Sequence, residues 1–85
     1  MTREDELLDR IVIDPRIFGG KPIIRGQRIA VEHILGMLAA GDAPERIVSA
    51  YSPWLEPDDI RACLIYAQRV VARERVEPLI IPEPA

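Results

Sequence analysis

From Asp14 to Val31 the chain reads D-P-R-I-F-G-G-K-P-I-I-R-G-Q-R-I-A-V, a stretch that excludes any long helix or strand. Pro15 and Pro22 each withhold a backbone N–H and fix φ, which stops a helix or a central ladder. Gly19-Gly20 and Gly26 open backbone angles closed to other residues and so mark tight turns. Ile23-Ile24 and Ile29 have strand character, which makes Arg25-Gly26-Gln27 the tip of a small hairpin. Arg16, Lys21, Arg25 and Arg28 sit on or beside these turns, with Asp14 and Glu32 the nearest acids in sequence. A compact basic loop in an acidic protein points to contact with something anionic.

That loop must be carried by a small body. With 85 residues the chain is one domain near the lower limit for a self-sufficient core. It buries roughly 60–65% of its unfolded surface, so a partner chain would help it. The apolar content is globular, and a net charge of -3 argues against a histone-like, non-specific nucleic-acid binder. Ten of the eleven basic residues are arginine, whose forked guanidinium suits bases and phosphates, although a bias in genomic base composition is the simpler explanation. A single cysteine excludes an internal disulfide framework and a cysteine-rich metal site. The charged stretch Met1–Arg10 has no signal-peptide core, and the apolar run Ile34–Gly41 is far too short to span a bilayer. A soluble, cytoplasmic protein is expected, with no membrane contact.

Residues 1–9 read as a frayed or helical lead-in, and Arg10–Ile13 as a short strand stopped by Asp14-Pro15. After the hairpin the period changes. Val31, Ile34, Leu35 and Leu38 lie on one face of a first helix that Gly41 ends. Pro44 opens a short second helix with Ile47, Val48 and Tyr51 inward, and Ser52-Pro53 breaks it. Pro57 opens the third and longest helix, with Asp58 and Asp59 favoured in its first turn by the helix dipole. Its predicted core stripe is Ile60, Leu64, Ala67 and Val71, and it is expected to run to about Arg75. The tail, Glu77 to Ala85, carries three prolines around Leu79-Ile80-Ile81 and cannot be helical. The predicted fold is mostly α: a short N-terminal β hairpin followed by a three-helix, helix-turn-helix unit over residues 1–76, with a Pro-rich tail at 77–85.

Cys63, Tyr66 and Val70 widen the apolar arc of the third helix to about half its circumference. Either the hairpin covers the surplus or it forms a homodimer interface, and the small size of the chain favours the latter. The opposite arc carries Arg61, Gln68, Arg69 and Arg73. Gln and Arg make bidentate contacts to base edges, so this face has the composition of a major-groove helix; a plain solvated face is the commoner meaning of such a pattern. Trp54, between the second and third helices, is expected to plug the loop, with an exposed partner anchor as the alternative.

No residue set announces catalysis. His33 has no second ligand at metal spacing and Cys63 no neighbouring histidine base. Gly20-Lys21 lacks the Ser or Thr of a phosphate loop, since Pro22 stands there. No pair of acids has the context of general acid–base work. The expectation is no catalytic residue, no cofactor, no metal and no small-molecule substrate.

The run I-x-x-D-P-x-I-x-G-G-K-P-I-I-R-G-x-R-I-x-V, then I-L, G with P-E-x-I, P-x-L-x-P-D-D-I and a Tyr-Ala pair closely resembles the bacterial domain-of-unknown-function 433 family over about residues 10–70. The resemblance implies a homeodomain-like or winged-helix-like trihelical fold, usually dimeric. It further implies a VapB-type antitoxin of a type II toxin–antitoxin module. Such a protein neutralises a PIN-like ribonuclease toxin and binds operator DNA to repress its own operon. Gly20, Lys21, Pro22, Arg25, Gly26 and Arg28 correspond to the signature loop, and Leu55, Pro57 and Ile60 to the start of the third helix. Ala43 and Glu56 stand where the family tends to place Ser or Thr caps, which costs about 1 kcal/mol at each helix start.

Two functions follow as expectations. In the first, Arg16, Lys21, Arg25 and Arg28 hold phosphates while Arg61, Gln68, Arg69 and Arg73 face a major groove. In the second, the chain is a protein-interaction module without DNA binding, and the tail residues Leu79, Ile80 and Ile81 dock on a partner, as an added strand.

Overall fold

The computed structural model describes residues 2–73, which form four helices and a two-stranded antiparallel β element. The mostly helical architecture with a short antiparallel β element was legible from the residue pattern, but the hairpin expected about Gly26, between Ile23-Ile24 and Ile29, carries only an isolated bridge, and the paired strands are Ile11–Ile13 and Pro22–Ile24. The lead-in is also more ordered than its charge suggests. It forms helix α1 (Arg3–Leu8). Thr2 accepts the Asp5 backbone N–H, and the Asp5 side chain reaches back to the Thr2 N–H, a full capping box. The Thr2 hydrogen bonds, and secondarily the Arg69 charge, hold the Asp5 carboxyl below its ordinary range.

Strand β1 (Ile11–Ile13) pairs with β2 (Pro22–Ile24), with Ile11 opposite Ile24 and Ile13 opposite Pro22. Pro22 is tolerated because Ile13–Pro22 is a non-hydrogen-bonded pair: the Arg25 N–H bonds the Arg10 carbonyl, which sets the alternation. The connection includes a 3-10 turn at Phe18–Gly20, in which Phe18 takes a φ of 48° and Gly19 65°. Beyond β2 the chain reverses over Ile24–Gln27 and returns to make a bridge between Ile23 and Ala30. Gly26 sits in this turn at φ 78°, where a side chain would be strained.

Helices α2 (Val31–Ala39), α3 (Pro44–Ala50) and α4 (Pro57–Arg73) follow the predicted order and nearly the predicted limits. Gly41, at φ 100°, ends the α2 region. The core is Ile24, Val31, Ile34, Ile47, Leu55, Ile60 and Cys63, with Ile11, Leu35, Leu38 and Tyr66 packed against it. No helix of the described residues is long and apolar enough to cross a membrane.

The predicted stripe of α4 needs correction. Leu64 and Val71 are exposed, while Asp59, Ile60, Ala62 and Cys63 are buried. The reason is α1, which packs on α4 and buries Leu7, so that α4 is covered from two sides. The helix turns its 59–63 arc inward and leaves Leu64 outward, a rotation that one-sided periodicity does not reveal. Cys63 is fully buried in the monomer core and so is not part of an interface; Tyr66 and Val70 are half-buried beside it. Leu79, Ile80 and Ile81 lie outside the described residues.

Burial pushes the Cys63 thiol up to about 12, with the Asp59 charge adding to the effect. The thiol is neutral and shielded, so native protein is expected to resist a thiol-specific alkylating reagent at pH 8 and to react on denaturation. Fast labelling of the native state would contradict this packing.

Candidate nucleic-acid interface

The basic residues of the signature loop are not equivalent once the chain is folded. Asp14 captures Arg16 through both carboxylate oxygens, at 3.0 Å from Nε and 3.0 Å from Nη2, and also accepts the Arg16 backbone N–H at 2.9 Å. These contacts, with the Arg28 charge behind them, hold the Asp14 carboxyl below its usual range. Lys21 forms an ion pair with Glu32 at the start of α2. The two acids nearest in sequence therefore answer two of the four cations. They are exposed pairs of small energetic worth, but they cancel charge locally.

Arg25 and Arg28 are different. Both are exposed and neither forms an ion pair among the described residues. They flank Gly26 and Gln27 at the tip but splay to either side of it. Arg25 borders a cleft with Arg10, Gln27, Trp54, Glu56 and Asp59. Arg28 borders a recess with Val12, Asp14 and Ile17. The Gln27 side-chain amide donates to the Trp54 carbonyl at 3.5 Å, a long contact that ties the tip to the α3–α4 loop.

Trp54 is 63% exposed, so it is not the core plug that its isolation in sequence suggested. Leu55 takes that role at 3% exposure. The indole instead stands at the edge of the cleft, beside the basic tip.

On α4, Arg61, Gln68 and Arg73 are exposed as predicted, and none is paired among the described residues. Arg69 is not available in the same way. Its guanidinium meets Glu4 at 3.3 Å and Asp5 at 3.5 Å, both on α1. The acidic lead-in thus neutralises part of the face that the helix composition marked for DNA. Sequence reading missed this because the partners are more than sixty positions apart.

The base of the cleft is the most organised polar cluster. Asp59 is 5% exposed; its Oδ2 accepts the Glu56 backbone N–H at 2.8 Å and its Oδ1 accepts Arg10 Nη1 at 3.1 Å. Asp59 therefore supplies the N3 half of a capping box, accepting the Glu56 N–H, while the half that a Ser or Thr at position 56 would give to the first-turn N–H groups is missing. Arg10 also reaches Glu56 and Asp58, and the Asp59 hydrogen bond foremost holds its guanidinium even more firmly charged. Every member of this cluster has a partner, which marks it as structural. His33 is exposed on α2, with Nε2 2.9 Å from the Tyr51 hydroxyl. Among the described residues no three His, Cys, Asp or Glu side chains converge as a metal site would need.

The fold and its loop define a small helical domain presenting a glycine-turned basic tip. The model of the family described as a protein of unknown function, DUF433, matches residues 11–67. The chain belongs to this family. It is also 37% identical over 65 residues to the uncharacterized protein y4eO of Sinorhizobium fredii, an alignment covering 76% of this chain and 29% of that protein. The chain thus spans less than a third of the length of that curated relative. No solved structure matches.

Proposed function

We propose that this chain is a DNA-binding antitoxin of a type II toxin–antitoxin module, which neutralises a PIN-like ribonuclease and represses its own operon. The observation that carries the DNA part is the pair Arg25 and Arg28, exposed and without an ion pair among the described residues, on either side of the Gly26 turn. Short α2, the turn at Gly41 and short α3 are read as a helix-turn-helix with the tip as its wing, and the order of these elements supports that reading. In this reading Arg25 and Arg28 straddle a phosphate backbone or enter a narrow minor groove, while Arg61 and Gln68 contribute from α4. Arg16, Lys21 and Arg69 contribute less, since each brings an acid with it. The toxin-neutralising part rests on the resemblance alone.

The test is fluorescence anisotropy on the protein's own upstream DNA against a scrambled duplex across a salt series. Preference for the upstream DNA is expected, with a log–log salt slope that falls by about 2 in the Arg25→Ala/Arg28→Ala variant. Equal affinity for both duplexes, or an unchanged slope in the variant, would remove the assignment.

A second reading, a protein-interaction module without DNA binding, is favoured by the internal neutralisation of three of the eight predicted DNA contacts and by exposed Trp54, Leu64 and Val71. Under it, deleting residues 77–85 abolishes binding to the product of an adjacent PIN-like gene while residues 2–73 stay folded.

A further inference from the structure

The edge of the β element carries an inference that goes beyond the DNA reading and does not depend on it. In the β1–β2 ladder, Arg25 donates to the Arg10 carbonyl and Val12 lies opposite Ile23. Antiparallel pairing alternates, so Val12 turns its N–H and C=O toward β2 while Ile11 and Ile13 turn theirs away. The same alternation explains why Ile24, opposite Ile11, donates to Ile29 on the other side of β2. Outside the β1–β2 ladder, no hydrogen bond among the described residues engages the backbone N–H or C=O of Ile11 or Ile13. The strand carries none of the usual protections of an edge within itself: Ile-Val-Ile has no charge, no proline and no bulge. Ile13 is 60% exposed, and the turn Phe18–Gly20 brings a half-exposed Phe18 to the same end of the hairpin.

We propose that this edge pairs with the β1 edge of a second copy, antiparallel about a two-fold axis through Val12, to make a four-stranded sheet across the dimer. The fit is self-complementary. With Val12 opposite Val12 of the partner subunit, Ile11 faces Ile13 of the partner subunit as a hydrogen-bonded pair, and the reciprocal pair forms by symmetry. All four open N–H groups and all four open carbonyls of the two strands are then satisfied. One residue beyond each end of the pairing, Arg10 stands opposite Asp14 of the partner subunit; their signs are opposite, so they do not oppose the register, but each already has an intrachain partner, Asp59 and Arg16, and adds little to it. The isoleucines of both strands fall on one face, so the exposed Ile13 gains apolar cross-strand neighbours. A three-residue strand supplies few hydrogen bonds, and this apolar contact is what makes the pairing specific to a second copy.

Sedimentation equilibrium of the full chain tests this, with amide hydrogen exchange as the deciding measurement. The expected mass is twice the 9.6 kDa of the chain. Ile13→Pro removes one outward N–H per strand without touching the β1–β2 ladder, and symmetry makes the loss count twice. It is expected to weaken self-association roughly a hundredfold. Leu64→Asp/Val71→Asp, on the exposed face of α4, is expected to leave the dimer intact. In the unaltered protein the Ile11 and Ile13 amides should gain protection as concentration rises, a readout that stands even if Ile13→Pro fails to fold. A monomer throughout, a dimer lost in the α4 variant with Ile11 and Ile13 exchanging as open amides, or protection independent of concentration would each overturn the proposal.

Discussion

Replacing Ile34 by Ala is expected to lower stability by about 3–4 kcal/mol, the middle of the range for a large-to-small change in a core. Ile34 has no exposed surface and sits in the cluster that joins α2 to β2, α3 and α4. The truncation removes buried apolar area and leaves a cavity. The walls cannot close, because they belong to four different elements. A domain of this size has a total stability of roughly 4–13 kcal/mol, so such a loss consumes much of it. Urea denaturation followed by circular dichroism measures the effect. The midpoint should fall while the slope stays constant. A change below about 1 kcal/mol would mean that the packing around α2 is looser than its burial indicates.

Asp59→Ala is expected to cost about 2–3 kcal/mol, although it deletes only a small polar group. Three losses combine. The Glu56 N–H at the start of α4 loses its acceptor, and Arg10 loses its best-buried partner. The side chain itself leaves a small gap in a position 5% exposed. Removing one member of a buried pair commonly costs 3–5 kcal/mol, but Arg10 is about one-third exposed, and water and Glu56 recover part of the penalty. Asp59→Asn keeps the shape and an acceptor for the Glu56 N–H, so about half of the loss should return. If both variants matched the unaltered protein, Asp59 would be an incidental acid at a helix start and not its cap. Asp58→Ala supplies the contrast: its pairs with Arg3 and Arg10 are more exposed, and a change within about 1 kcal/mol is expected.

Element order was legible because local signals carry it. Pro44 and Pro57 open helices at their first turns, Gly41 follows α2, and Gly26 turns the tip, each acting on its own few residues. The family assignment was legible for the same reason, since the glycine–proline–arginine spacing is a local string. The tertiary structure decided the facing and the charge. Which arc of α4 is buried depends on α1, and whether a cation is available depends on acids elsewhere in the fold. Arg69 and Arg61 look alike in sequence, yet α1 brings Glu4 and Asp5 to one and not to the other. Trp54 and Leu55 are neighbours in one loop, and it is the smaller that enters the core. Backbone conformation follows from sterics within a few bonds, whereas burial and pairing follow from distances that exist only once remote segments have packed together.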